Sequence, residues 1–133
     1  MDVTKAIIFS DGAAVPNPGP AAIGVTIKDE QGRLIASISK PIGHATNNQA
    51  EYRAIIAGLE KAISLGLKQA DTRSDSELVV RQINGRYRVK NAALKPLYQQ
   101  VKQLQSQLKG FTIIHVPRDQ NKEADELASS ALR

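Results

Sequence analysis

The order of the hydrophobic patterns along the chain is the feature that most restricts its fold. Three segments with the spacing of β-strands come first, at 6–9, 23–27 and 34–39, and short connections rich in Gly, Pro or turn residues separate them. Strands joined this closely favour an antiparallel meander. Helical and strand patterns then alternate, which is typical of right-handed crossovers between parallel strands.

The later elements define the rest of the architecture. Predicted helices cover 51–65, 76–82, 94–108 and the region after 121, and predicted strands cover 69–73 and 111–116. Asn48 and Glu51 form a capping box for the first of these helices, and Asn121 caps the last. The strand at 69–73 has weak propensity. We therefore expect a single domain over residues 1–133, of the α/β class, with a mixed five-stranded sheet flanked by helices.

The composition excludes several classes of protein. The chain has no cysteine, so it has neither disulfides nor a Cys-based zinc site. No apolar run approaches the roughly 20 residues that span a bilayer, and the N-terminal residues lack a signal-peptide pattern. We therefore expect a cytoplasmic protein without membrane contact, and a monomer by default. The net charge of +5 favours polyanionic partners.

Four acidic residues stand where the predicted fold could bring them together. Asp11 and Asp75 follow strands predicted to be parallel neighbours, and Glu51 and Asp125 lie in the first turns of helices that pack on the same sheet. Each has an ordinary alternative, namely a turn for Asp11, a cap for Glu51 or Asp75, and a solvated helix face for Asp125. Phosphodiester cleavage commonly uses two Mg²⁺ ions about 4 Å apart, and Mg²⁺ prefers oxygen ligands.

Five blocks of sequence contain these acids and their surroundings. They are Ile8–Ala13, Asn17–Pro20, Thr46–Glu51, Ser74–Ser76 and Asn121–Ala128. Together, and in this order, they resemble the ribonuclease H type 1 family over nearly the whole chain. The resemblance implies a ribonuclease H-like fold and an endonuclease that hydrolyses the RNA strand of RNA–DNA hybrids, leaving 5′-phosphate and 3′-hydroxyl ends.

The resemblance also implies a role for individual residues. The four catalytic and metal-binding positions, which hold two Mg²⁺ or Mn²⁺ ions, fall on Asp11, Glu51, Asp75 and Asp125. The positions that contact substrate fall on Gly12, Asn17 and Asn48 for the minor groove, and on Thr46 and Asn47 for a phosphate of the DNA strand. A hybrid has a wide, shallow minor groove with 2′-hydroxyls on one strand only, which these small groups could read.

The chain departs from the family pattern in several places. The segment 85–91 is too short for the basic protrusion of many members, and its cations either contact phosphate on a smaller surface or form a solvated loop. Gln49 stands where some members have an arginine, and Glu77 stands where some members have a glutamine. We expect Arg118 to act as the auxiliary residue near the last helix, and His115 to be a structural residue within the last strand.

Two other functions remain open at this point. A protein with this fold could bind nucleic acid without cleaving it, although such a protein would be expected to lose one or more of the acids. Another nuclease of the same fold, such as an exonuclease or an integrase-type transferase, would be expected to lack the T-N-N-x-x-E and N-P-G-P context.

Overall fold

The fold is built on one five-stranded mixed sheet. The computed structural model describes residues 4–133, so residues 1–3 of the N-terminal segment discussed above lie outside it. The strands are β1 (Lys5–Ala14), β2 (Gly19–Lys28), β3 (Leu34–Ala45), β4 (Gln69–Ser74) and β5 (Gly110–His115). Their order is β3-β2-β1-β4-β5, with β1, β2 and β3 antiparallel and β4 and β5 parallel to β1. The predicted fold class is confirmed.

Helices cover both faces of this sheet. They are α1 (Asn47–Ser64), α2 (Glu77–Ile83), α3 (Lys95–Ser106) and α4 (Lys122–Leu132), and a 3₁₀ turn at Arg118–Gln120 precedes α4. Gly58 of α1 packs against Ile8 of β1, while Gly24 of β2 packs against α4. Gly24 pairs with Asp11, whose side chain points away from the Ile8 face. The helices α1 and α4 therefore lie on opposite faces.

The main core lies between the sheet and α1. The predicted apolar stripe of α1 is buried at Tyr52, Ile55 and Leu59, and Val101 of α3 packs into the same cluster. Among residues 4–133, no helix is both long enough and apolar enough to cross a membrane.

The first strand extends further than its apolar pattern predicts. We expected a loop to begin at Asp11, but β1 continues to Ala14, which pairs with Ala21 of β2. The residues after Asp11 are small, and backbone pairing with β2 does not require large apolar side chains. As a result, Asp11 lies inside a strand and is held by the ladder with β2.

The weak segment before Asp75 does form a strand. β4 lies between β1 and β5 and pairs with both of them along its length. Its alternate residues Ala70, Thr72 and Ser74 are buried. Two neighbouring strands and one buried face outweigh the poor intrinsic propensity of this segment.

The predicted helix caps are wrong in detail. The capping box of α1 is formed by Thr46 and Gln49, because Thr46 Oγ1 accepts the Gln49 N–H at 3.1 Å and Gln49 Oε1 accepts the Thr46 N–H at 2.8 Å. The box therefore uses neither Asn48 nor Glu51. Asn121 does precede α4, but its side chain makes no capping hydrogen bond.

Candidate active site

The sheet register brings Asp11 and Asp75 together. The last pair of the parallel ladder between β1 and β4 is Ser10 with Ser74, so the next residue on each strand is an aspartate. β1 then continues, whereas the chain turns after β4, where the Ser76 N–H donates to Ser74 Oγ at 3.1 Å. Asp11 is 6% exposed, and Asp75 is half-buried beside it.

Glu51 reaches the same place because α1 lies very close to β1. A Cβ on Gly12 would stand 2.2 Å from the carbonyl carbon of Ala50, so only glycine permits this approach. The Gly12 N–H then donates to Glu51 Oε1 at 2.8 Å. Glu51 therefore reaches from the first turns of α1 to the part of β1 that contains Asp11.

The carboxylates form one cluster. Oxygen atoms of Asp11, Glu51 and Asp75 all lie within 4.8 Å of one another. Asp125 in α4 does not belong to this group of three, but it is near enough to raise the pKa of Asp11. The structure thus brings the four sequence-predicted acids near the same end of the paired strands β1 and β4, with Glu51 on α1 and Asp125 on α4.

This crowding changes the protonation of the buried acids. Burial and the charges of Asp75 and Asp125 raise the pKa of Asp11 from its ordinary 3.8 to about 7. Burial and the charges of Asp11 and Asp75 likewise raise the pKa of Glu51 well above its ordinary value. Arg118 opposes both shifts. The cluster carries more negative charge than the protein compensates, so it favours bound cations.

The donor set suits a hard divalent cation. Every candidate ligand atom is a carboxylate oxygen, which Mg²⁺ and Mn²⁺ prefer, and no thiol or imidazole is part of the described cluster. Asp11, Glu51 and Asp75 are the residues that could hold such an ion directly, with Asp125 beside Asp11.

The cavity at the cluster also contains Arg118 and amide side chains. Its volume is about 290 Å³, and it is lined by Asp11, Gly12, Ala13, Asn47, Asn48, Glu51, Asp75 and Arg118. His115 does not line it and is exposed at the end of β5. His115 does lie within the last strand, as expected, but it is exposed at the end of that strand and is not part of the core.

The loop residues predicted to contact substrate form a connected group. Asn47 Oδ1 accepts the Ala14 N–H at 2.7 Å, and Asn17 Oδ1 accepts the Asn47 N–H at 3.0 Å. These bonds join the end of β1, the loop after it and the start of α1. Thr46 contributes to the same corner as the cap of α1. The group is fixed by backbone contacts next to the carboxylates.

Asn121 contacts this cluster in a way that the sequence pattern did not show. It is 1% exposed, and its Nδ2 donates to the Ser10 carbonyl at 2.8 Å and to Asp75 Oδ2 at 3.1 Å. Its place before α4 predicted a cap, and no local signal distinguishes a capping asparagine from one that reaches a distant strand.

Comparison with known proteins identifies close relatives. The "Reverse transcriptase-like" family model matches residues 9–131. The chain is 43% identical over 129 residues to the bifunctional protein Rv2228c of Mycobacterium tuberculosis, covering 96% of this chain and 35% of that protein. The solved N-terminal RNase H domain of Rv2228c has a TM-score of 0.94 at 42% identity, covering 97% of this chain and 99% of that one.

Two further relatives agree with this match. Ribonuclease HI of Halobacterium salinarum is 40% identical over 124 residues, covering 93% of this chain and 62% of that protein. LC11-RNase H1, solved in complex with an RNA/DNA hybrid, has a TM-score of 0.91 at 40% identity, with 95% of each chain covered. The chain thus spans between about a third and just under two thirds of these curated relatives. By sequence and by fold, it belongs to the ribonuclease H type 1 family.

Proposed function

We propose that the chain is a metal-dependent endonuclease that hydrolyses the RNA strand of RNA–DNA hybrids. The observation that carries the proposal is the carboxylate cluster of Asp11, Glu51 and Asp75, with oxygens within 4.8 Å of one another, in a chain of this family. The hybrid-bound structure of LC11-RNase H1, 40% identical to this chain, supports the choice of substrate.

The protein supplies the ligands in this proposal. Asp11, Glu51, Asp75 and Asp125 would together bind two Mg²⁺ or Mn²⁺ ions. When bound there, the ions would supply an activated water for in-line attack and charge stabilisation for the leaving oxygen. Cleavage of the P–O3′ bond would leave a 5′-phosphate and a 3′-hydroxyl end.

The residues around the carboxylates have separate proposed tasks. Asn17 and Asn48, with the backbone at Gly12, would contact the minor groove, and Thr46 and Asn47 would bind a phosphate of the DNA strand. Gly12, Asn47 and Asn48 line the cavity. Asn17 is hydrogen-bonded to Asn47, and Thr46 caps the helix on which Asn47 and Asn48 lie. Arg118, across the same cavity, would provide a positive charge for the phosphate as it enters or leaves.

The experiment is cleavage of an end-labelled hybrid in Mg²⁺, in Mn²⁺ and in EDTA. Single-stranded RNA, duplex RNA and duplex DNA serve as other substrates. We expect metal-dependent cutting of the RNA strand of the hybrid alone, and end analysis should give 5′-phosphates. Binding of the hybrid without cutting would identify a non-catalytic module, and cutting of DNA would identify another nuclease of this fold.

A matched pair of variants tests the site. Asp75→Asn should abolish cleavage while the protein remains folded, because the change removes a ligand charge without a change in volume. Asp119→Asn, an exposed aspartate in the nearby 3₁₀ turn, should leave the rate unchanged. Near-normal turnover by the Asp75→Asn variant would contradict the assignment. A cytoplasmic location and a monomeric state remain predictions of the sequence.

A further inference from the structure

Asn121 connects three separate elements through its side-chain amide and its backbone carbonyl. Its Nδ2 donates to the backbone carbonyl of Ser10 in β1 and to Asp75 Oδ2 after β4. The backbone carbonyl of Asn121 accepts the Asp125 N–H at 3.1 Å in the first turn of α4. Two of the four acids, Asp75 and Asp125, are thereby tied to the residue that precedes Asp11.

The orientation of this amide follows from its partners. Both the Ser10 carbonyl and the Asp75 carboxylate are acceptors, so the nitrogen must face them. The opposite orientation would place Oδ1 against two other oxygen atoms. As oriented, Asn121 Oδ1 is buried and has no hydrogen-bond partner among the described residues.

A helix cap does not explain this arrangement. A capping asparagine uses its side-chain oxygen to accept an N–H of the first turn. The Oδ1 of Asn121 accepts none, and the side chain makes no capping bond. The amide instead provides a neutral donor to one oxygen of Asp75, inside a cluster that otherwise contains mutually repelling carboxylates.

We propose that Asn121 is a positioning residue for the metal site, which holds Asp75 in its orientation and fixes the start of α4 relative to β1. This inference rests on the proposed function. Hydrogen bonds to ligating carboxylates orient them, and their loss typically lowers metal affinity or activity by about 10–100-fold. Asn121 acts through Asp75 and Asp125 and has no contact with substrate in this role.

The substitution Asn121→Ser separates the two roles. Serine is as good a helix cap as asparagine, but its short side chain cannot bridge Ser10 and Asp75. If Asn121 acted only as a cap, the Asn121→Ser variant should have the Mn²⁺ affinity and the Tm of the wild type. The positioning role predicts that Mn²⁺ affinity, measured by calorimetric titration and by the Mn²⁺-induced rise in Tm, falls by about 10–100-fold. In cleavage assays kcat should fall at low Mn²⁺ and recover at high Mn²⁺, while the KM for the hybrid is unchanged.

The control is Asn84→Ser. Asn84 donates from Nδ2 to the Ile113 carbonyl at 3.0 Å, a tie between α2 and β5 that involves no carboxylate. Its loss should lower Tm equally with and without Mn²⁺ and leave the affinity unchanged. Should the Asn121→Ser protein fail to fold without metal, refolding of the same variant at graded Mn²⁺ gives the same comparison.

A double-mutant cycle assigns the effect to Asp75. In an Asp75→Ala background, Asn121→Ser should lower the remaining Mn²⁺ affinity by less than it does in the wild type, because the side chain that the Asn121 amide orients is gone. Wild-type affinity in the single variant, or an equal loss in both backgrounds, would overturn the inference. Failure of the wild-type protein to bind Mn²⁺ would instead refute the proposed metal site itself.

Discussion

Removal of the Asp11 charge should stabilise the metal-free protein while it destroys the proposed site. Asp11 is buried beside Asp75 and Asp125, and its pKa is raised from 3.8 to about 7. Asn has the shape of the protonated carboxyl group but never ionises. Asp11→Asn therefore removes the repulsion that the native cluster experiences at neutral pH without ions.

The sign and size follow from proton linkage. Between pH 3.8 and about 7 the native state keeps the Asp11 proton and the unfolded chain has lost it. The free energy of unfolding therefore falls as pH rises, by about 1.4 kcal/mol per unit within that range. Over the whole range the free energy of unfolding of the wild type falls by up to about 4 kcal/mol, and about 3 kcal/mol of this is lost between pH 5 and pH 8. At pH 8 the Asp11→Asn variant should therefore be more stable than the wild type by up to about 4 kcal/mol.

The assay is urea unfolding in EDTA at pH 5 and pH 8. The wild type should lose stability between the two, and the variant should lose much less, with a residual slope from Glu51, whose pKa is also raised. Asp29→Asn is the control, and its effect on the free energy of unfolding should have the opposite sign. Hydrogen bonds from Arg33 and Gln31 lower the pKa of Asp29, so this variant should be destabilised. A wild type equally stable at both pH values, or an Asp11→Asn variant weaker at pH 8, would refute the reasoning.

Three further substitutions test the packing and charge of the site. Gly12→Ala places a Cβ 2.2 Å from the backbone of Ala50 and should cost about 3 kcal/mol in urea unfolding; a neutral result would mean that α1 can move away. Gly24→Ala places a Cβ 2.1 Å from the Ala124 carbonyl and should weaken Mn²⁺ binding by displacing α4, measurable by titration. Arg118→Ala should slow hybrid cleavage about ten-fold, or about 1.4 kcal/mol of activation free energy, without abolishing it; an unchanged rate would exclude the auxiliary role.

The fold was predictable because its patterns are local and consistent with one another. Each pattern predicts one element: the alternation at 23–27 and at 34–39 predicts two strands, and the apolar stripe of α1 predicts a helix. The preference for right-handed crossovers then leaves few possible topologies. The segment 69–74 was the weakest prediction because its stability as a strand comes from two neighbours that are distant in sequence. Strand pairing of this kind is invisible to a pattern that considers one segment at a time.

The extent of β1 and the position of the α1 cap were harder to predict for a related reason. Small residues at 12–14 resemble a loop in a sequence, but here they allow close packing of α1. Thr46, Asn47 and Asn48 are all acceptable caps, so the choice among them depends on Asn47 being bonded to Asn17 and Ala14 instead. When several neighbouring residues could cap a helix, contacts with distant parts of the fold determine which one does.

The acids and Asn121 show two different limits of prediction at one site. The convergence of Asp11 and Asp75 follows from strand order, because neighbouring parallel strands end on the same side of the molecule. The register then has only to place Ser10 opposite Ser74. The role of Asn121 cannot be deduced in this way, because an asparagine before a predicted helix is already explained in the sequence as a cap. Only the contact with Ser10, 111 residues away in sequence, shows that the side chain is used elsewhere. The two interpretations differ for Asn121→Ser, since a cap survives that substitution and a bridge to Asp75 does not.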